Sequence, residues 1–308
     1  MLGGVTHMTD HKGNQTLLLL ILALALALGA ASCAPLQPTN PTGPRGNQPV
    51  YPILFLEDSN RREAAQAALT RLNPSVLRNG NSETIELNPT EIKLSPITAT
   101  IESLPSNSRA SLYLPKIGTA AVMNEEETRE SLRRFIRDWS ELIGSDPARL
   151  SLVDHSVQPD GSGLANYEQR PFRFPIRGNY GRLHIRYGPD RRVLSVSSTC
   201  IPDADRVRTA LRALGATGTL SARLTAEDAI KKLRGNEIPH FDPKAANSTF
   251  RLPAGAELKV RELVTHIQPS KARADALEFR IAWEIELSNA PVKRVYVDSI
   301  SGETFASE

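Results

Sequence analysis

Cysteine is almost missing: Cys33 and Cys200 are the only two in 308 residues, which excludes a disulfide-built scaffold. Histidine is scarce as well, with six in the chain and four of them (155, 184, 240, 266) spread singly through its body. No His-Glu-x-x-His occurs, so the helical zinc site that needs two histidines one turn apart around a base is absent, and no metal or other cofactor is expected. There is no Gly-x-Ser-x-Gly elbow; Asp160-Gly161-Ser162-Gly163 reads as a loop between strands. No glycine-rich phosphate loop follows a strand. Net charge is only +3, from 37 Lys+Arg against 34 Asp+Glu, too balanced to argue for nucleic acid. What remains is ordinary: 40% hydrophobic and 23% charged residues, enough to bury a core.

The longest apolar run, Leu17 to Leu28, has twelve residues of Leu, Ile and Ala. A membrane-spanning helix needs about 20, whereas the apolar region of a signal peptide needs about 7–15. Gly29-Ala30-Ala31-Ser32-Cys33 follows, and this resembles a bacterial lipobox in which Cys33 is lipidated and becomes the first mature residue. The departures are Ala30, where such boxes usually carry Leu, and a leader whose only Lys or Arg is Lys12. One acyl chain holds a protein to a bilayer only marginally, so durable anchoring takes more than one; bacterial lipoproteins resemble this case and carry three. Cys200 is then left unpaired and is expected as a half-buried thiol at a strand end. From Ala34 to Pro52 six prolines (35, 38, 41, 44, 49, 52) alternate with polar residues, the mark of an extended spacer.

Beyond the spacer, Ile53 to Leu72 predicts a short apolar segment and a helix capped by Ser59 or Asn60, ending before Asn73-Pro74. Proline-cut β-like pieces follow up to Ile117. Asn124 with Glu127 forms a capping-box pattern ahead of an amphipathic helix through Leu132, Phe135, Ile136, Trp139, Leu142 and Ile143, with Gly144 as its stop. Strands are predicted at Leu150–Val157, Tyr167–Ile176, Arg182–Tyr187 and Val193–Ser198. A helix from Asp203 to Leu214, stopped by Gly215, leads to a second capping box, Thr225 with Asp228, and a helix closed by Gly235. Three more strands are predicted, Glu257–Ile267, Leu277–Leu287 and Val292–Asp298. Between Leu277 and Leu287 every odd position is apolar, and every even one except Ala282 is charged, which predicts one buried and one wet face. The fold class is therefore α+β, with two successive helix-plus-antiparallel-sheet units after a signal peptide and a Pro-rich tether.

The first unit carries Tyr167-x-Gln169, Pro175-Ile176-x-Gly178, Leu183-x-Ile185, Val193-x-Ser195-Val196 and Pro202, and residues 122–202 resemble the fungalysin/thermolysin propeptide (FTP) domain. The second carries Leu224-Thr225-Ala226-Glu227-Asp228-Ala229, Ala282-Trp283-Glu284-Ile285 and Val295-Tyr296-Val297-Asp298-Ser299-x-Ser301-Gly302-Glu303, and residues 223–308 resemble a PepSY domain. The resemblance implies two cystatin-like units. The organisation it suggests is a lipoprotein signal peptide (1–32), a tether (33–52), an unassigned N-terminal segment (53–121), an FTP-like domain (122–202), a connecting helix (203–222) and a PepSY-like domain (223–308). In thermolysin-type metallopeptidases this pair forms a propeptide that assists folding and inhibits the enzyme. No catalytic domain follows Glu308 in this sequence, so the resemblance implies a non-catalytic, membrane-anchored module that binds a secreted metallopeptidase. A truncated precursor of such an enzyme is the other reading it allows. Ala34 after Cys33 suits outer-membrane sorting, to the periplasmic face or the cell surface.

One stretch suggests a binding surface. Arg170 to Arg192 holds seven arginines and a single acid, Asp190. Period-two geometry puts Arg182, His184 and Arg186 on one strand face, and Arg173 is expected to point away from Phe172 and Phe174 in the same manner. Arginine forks match carboxylates and phosphates, so an acidic envelope protein, a lipid headgroup or an anionic glycan are candidate partners. The same residues also suit a solvated face neutralised by acids such as Glu284 and Glu286.

Overall fold

The computed structural model describes residues 50–72, 92–104, 112–119, 124–216, 223–235, 237–242, 245–253 and 255–308. The chain divides into Met1–Asn47 and Gln48–Glu308, and every described residue belongs to the second unit. The leader, Cys33 and the tether up to residue 49 lie outside the described residues.

Strand β1 (Ile53–Leu56) is followed by helix α1 (Ser59–Leu72), short strands β2 (Lys93–Leu94) and β3 (Ile101–Ser103), helices α2 (Glu125–Asp138) and α3 (Ser140–Ile143), and strands β4 (Leu150–Val157), β5 (Gly163–Gln169), β6 (Ile176–Arg177), β7 (Arg182–Tyr187) and β8 (Val193–Ser198). Then come α4 (Ala204–Ala216), α5 (Ala226–Gly235), β9 (Ile238–Asp242), β10 (Ala245–Phe250), β11 (Glu257–Pro269), β12 (Ala276–Ser288), β13 (Arg294–Asp298) and β14 (Thr304–Ser307). The class is α+β. Strands β4-β5-β7-β8 form one antiparallel sheet, and β14-β13-β12-β11-β6 form a second, whose β12 also pairs with β1.

Helix α2 starts on the expected capping box: Asn124 accepts from the Glu127 amide while the Glu127 carboxylate accepts from the Asn124 amide. Its buried Leu132, Phe135 and Ile136 join Trp139, Leu142 and Ile143 against Ala165, Leu183, Ile185 and Val196 of the first sheet. The helix does not run through to Gly144 as one piece; it breaks at Trp139, whose ring stacks on Phe135 at 5.3 Å. Gly144 then ends α3 with φ +79. The cap of α1 also differs from expectation. Asp58, rather than Ser59 or Asn60, accepts from the Asn60 amide. Gly215 does not stop α4, which continues to Ala216.

The N-terminal segment is shared between the two sheets. β1 pairs Ile53 with Phe279 and sends Ile53 and Phe55 into the core of the second sheet, while Leu104 and Tyr113 bridge to Val196 and Arg192 beside the first. β1 and β13 occupy the same edge of β12 with a gap at Ile281. Tyr51 fills it: its hydroxyl accepts from the Ile281 amide (3.0 Å) and donates to Asp298 (2.9 Å). A strand amide that neither neighbour could reach is thus satisfied.

The expected wet face of β12 is not wet. Glu278 and Glu284 are only 5% and 3% exposed. Arg280 draws Glu278, Asp298 and Glu303 together, and Arg177 reaches Glu284. Tyr296 and Phe305 close over His266 at 4.5 and 5.1 Å between ring centres. Period two placed the side chains on their faces correctly; cross-strand ion pairing then removed that face from water.

Candidate functional site

The motif residues that carry the resemblance turn out to be structural fasteners. The Gln169 amide donates to the Ile201 carbonyl (2.9 Å) and accepts from the Ile201 amide (2.8 Å), tying β5 to the buried segment after β8. Asp298 accepts from the amides of Ile300 and Ser301 with one oxygen and pairs with Arg280 and Tyr51 through the other. Trp283, half-buried, donates its indole N–H to the Leu224 carbonyl (2.9 Å), and Thr225 and Asp228 form the second capping box. Gly178, at φ +88, lets β6 lie against β11.

Between Gln169 and Ile176 the predicted strand is broken. Pro171 and Pro175 supply no amide to a ladder, so residues 170–175 leave the first sheet and cross to the second. There the Pro175 carbonyl accepts from the Thr265 amide (2.8 Å) and β6 pairs in parallel with β11. Arg173 therefore does not share a strand face with Arg182, His184 and Arg186. It rides on the crossing loop, and its guanidinium lies 5.5 Å from the centre of the Phe174 ring instead of pointing away from it.

This loop forms the common wall of two cavities. The first, about 370 Å³, lies between the loop, the face of α4 that carries Arg208, Leu211 and Arg212, Arg223 ahead of α5, and the sheet residues Thr265 and Ile281. The second, about 320 Å³, brings Arg173 together with Arg170 and Arg182. The first cavity has four arginines and no acid among its lining residues. Arg208 is paired with Asp205 outside the lining, but Arg173, Arg212 and Arg223 make no ion pair among the described residues. In the second, Glu168 is the one lining acid, and it lies 3.9 Å from Arg170.

His184 and Arg186 are on the expected face of β7 but are already engaged. His184 Nδ1 lies 2.6 Å from Asn166 Oδ1, and burial followed by the Arg182 charge holds its pKa below the ordinary value. Arg186 pairs with Asp160 (2.8 Å) and touches Ser162. Arg182 has no side-chain partner among the described residues. Glu284 does neutralise an arginine of the stretch, but it is Arg177, which Glu262 also contacts at 2.9 Å; Glu286 faces Arg261. The seven arginines are therefore dispersed over two sheets and a loop. Of the four selected from sequence, the fold unites Arg173 and Arg182 at one cavity.

Sequence reading missed Arg208, Arg212 and Arg223. The first two stand four apart and share a helix face, a spacing visible in Arg208-Thr209-Ala210-Leu211-Arg212. Nothing in the spacing points to Arg223. Cys200 is wholly buried rather than half-buried, and burial pushes its thiol up to about 12, so it is protonated at neutral pH. Among the described residues no cluster of three His, Cys, Asp or Glu is placed to hold a metal ion, and no helix is long and apolar enough to cross a membrane.

No family model matches the chain, and no curated protein matches it. Among solved structures it is similar to an uncharacterized protein from Eubacterium rectale ATCC 33656, at 7% identity over 82% of this chain and 84% of that one, with a TM-score of 0.28.

Proposed function

We propose that the protein is a membrane-anchored lipoprotein, attached through Cys33, whose body is a propeptide-like module of two cystatin-like units. It binds a secreted metallopeptidase of the envelope and inhibits or chaperones it, and it performs no reaction itself. The lipobox-like Ala30-Ala31-Ser32-Cys33 and the proline-rich spacer support the anchor. The ordered FTP-like and PepSY-like motifs support the units, and their residues act as fasteners: Gln169 on Ile201, Asp298 on Arg280. The observation that carries a binding role is the cationic cavity beside the crossing loop, where three arginines that make no ion pair among the described residues stand on a concave wall with no acid among its described lining residues. Guanidinium groups gathered in a cleft without acids in its described lining form a recognition surface for carboxylates.

The cationic surface allows a second reading, an envelope-interaction lipoprotein whose partner is an acidic component other than a peptidase. The two separate in one experiment. The mature full-length protein, reconstituted in detergent micelles, is added to a thermolysin-type enzyme, and hydrolysis of a fluorogenic peptide is followed. Dose-dependent slowing together with co-elution of the enzyme is expected. Co-elution without any change in hydrolysis removes inhibition and leaves binding or chaperoning; neither effect removes the peptidase reading.

A further inference from the structure

The cavity between α4 and the crossing loop is chemically two-sided. Phe172, Phe174, Leu211 and Ile281 give it an apolar lining, and Arg173, Arg208, Arg212 and Arg223 give it four positive charges. Thr265 and Ile281 are directly opposed on β11 and β12, so the base of the cavity is a rigid sheet face. The volume, about 370 Å³, lies at the small end of ligand-binding pockets and has room for one aromatic or branched side chain with polar groups beside it.

The geometry points to a docking site for an acidic peptide segment: an apolar side chain seated among Phe172, Phe174 and Leu211, with flanking Asp or Glu carboxylates on Arg173, Arg212 and Arg223. This rests on the reading of the body as a binding module and names the chemistry of the partner's contact. Charge complementarity selects the occupant. The arginines come from three separate segments, the crossing loop, α4 and the residues just ahead of α5, so several carboxylates spaced along a chain can meet them at once. A lipid headgroup brings one phosphate and leaves the remaining guanidinium groups unmatched. Arginine pairs with carboxylates bidentately, and within a partly desolvated cleft such pairs are stronger than on open surface.

The test uses the mature full-length protein in micelles and a short fluorescein-labelled peptide of Asp and Glu around one Phe, read by fluorescence anisotropy. Saturable binding that weakens as salt is raised is expected. In the Arg212→Glu/Arg223→Glu variant affinity falls by about tenfold or more, as for loss of charge-assisted contacts. Neither arginine holds a structural ion pair, so the fold, checked by circular dichroism, is unchanged. Arg212→Lys/Arg223→Lys recovers part of the binding. Arg186→Ala, which touches neither cavity, leaves it intact. Replacing the Phe by Gly, or the acids by Asn and Gln, weakens the peptide. Equal binding by wild type and the Glu double variant overturns the site, as does no binding at all. Capture of phosphatidylglycerol vesicles in preference to the peptide, lost in the same variant, overturns the peptide in favour of a phosphate headgroup. Peptide binding with no effect on any peptidase leaves this site standing and removes the peptidase. Peptidase inhibition undiminished in the double variant does the reverse.

Discussion

His266 is a base whose surroundings disfavour its protonated form. It sits 5% exposed on β11, directly opposite Arg280 of β12 and Arg177 of β6, with Tyr296 tilted against it, Phe305 edge-on to it, and Nδ1 without a partner among the described residues. Burial, then the Arg280 charge, lowers its pKa from 6.5 to about 4. Between those values the unfolded chain binds the proton and the folded one does not. The stabilising contribution is therefore complete above pH about 6.5, is lost progressively as pH falls to about 4, and changes no further below. At 1.36 kcal/mol per unit the loss is about 3 kcal/mol. Urea denaturation of wild type and His266→Gln across this range should show the stability difference between them shrinking by that order toward acid. Parallel curves would mean that the imidazole takes up its proton at the same pH in the folded and unfolded chain. The histidine itself was visible in the sequence as an isolated residue in an alternating strand. Its enclosure was not, because that depends on Phe305 from β14, a strand that no periodic pattern announced.

At the scale of elements, the strongly periodic pieces were legible and the irregular crossings were not. The Asn124 capping box, the face of α2 and the alternation of Arg182 to Tyr187 all follow from local rules that tertiary packing had no reason to override. The crossing loop was misread because Phe172 and Phe174 alternate with Arg173 as a strand would, while the cost of two prolines in a ladder went unweighed. That misreading hid the cavity, since Arg173 faces Arg208 and Arg212 only after the chain has left its first sheet. The motif Pro175-Ile176-x-Gly178 makes the departure possible. A Cβ on Gly178 would lie 2.4 Å from the Ile267 carbonyl oxygen, at φ +88, so Gly178→Ala must push β6 away from β11. The expected cost is about 2 kcal/mol in urea unfolding. Gly255→Ala, where a Cβ meets nothing within 4 Å, should stay within about 0.5 kcal/mol. Equal effects at the two positions would show that the close approach carries no strain.

For the molecule as a whole, the motifs assign domains only from residue 122 and leave 53–121 unassigned, yet that segment is built into both sheets. Strand β1 closes the edge of β12, and Tyr51 spans the gap that β1 and β13 leave at Ile281. Ile53 and Phe55 enter the core beside Phe279 and Leu277, while Ile101, Leu104 and Leu114 are buried against α2 and β8. Fully burying an aliphatic or aromatic side chain contributes about 1.5–3 kcal/mol, so removing these five takes away as much as the whole stability of an ordinary domain, about 5–15 kcal/mol. It also uncovers the amides of Leu277 and Phe279 on an apolar strand edge, a template for association between copies. A fragment of residues 122–308 should therefore aggregate or lack a cooperative unfolding transition, whereas the mature full-length chain unfolds in one. The check is urea denaturation followed by circular dichroism, with light scattering for aggregation. A monomeric fragment unfolding at the same midpoint as the intact protein would mean that the residues nearest the tether contribute nothing to the body. The opposite result makes the residues just ahead of β1 part of the second sheet, held there by the strand pairing of β1 with β12.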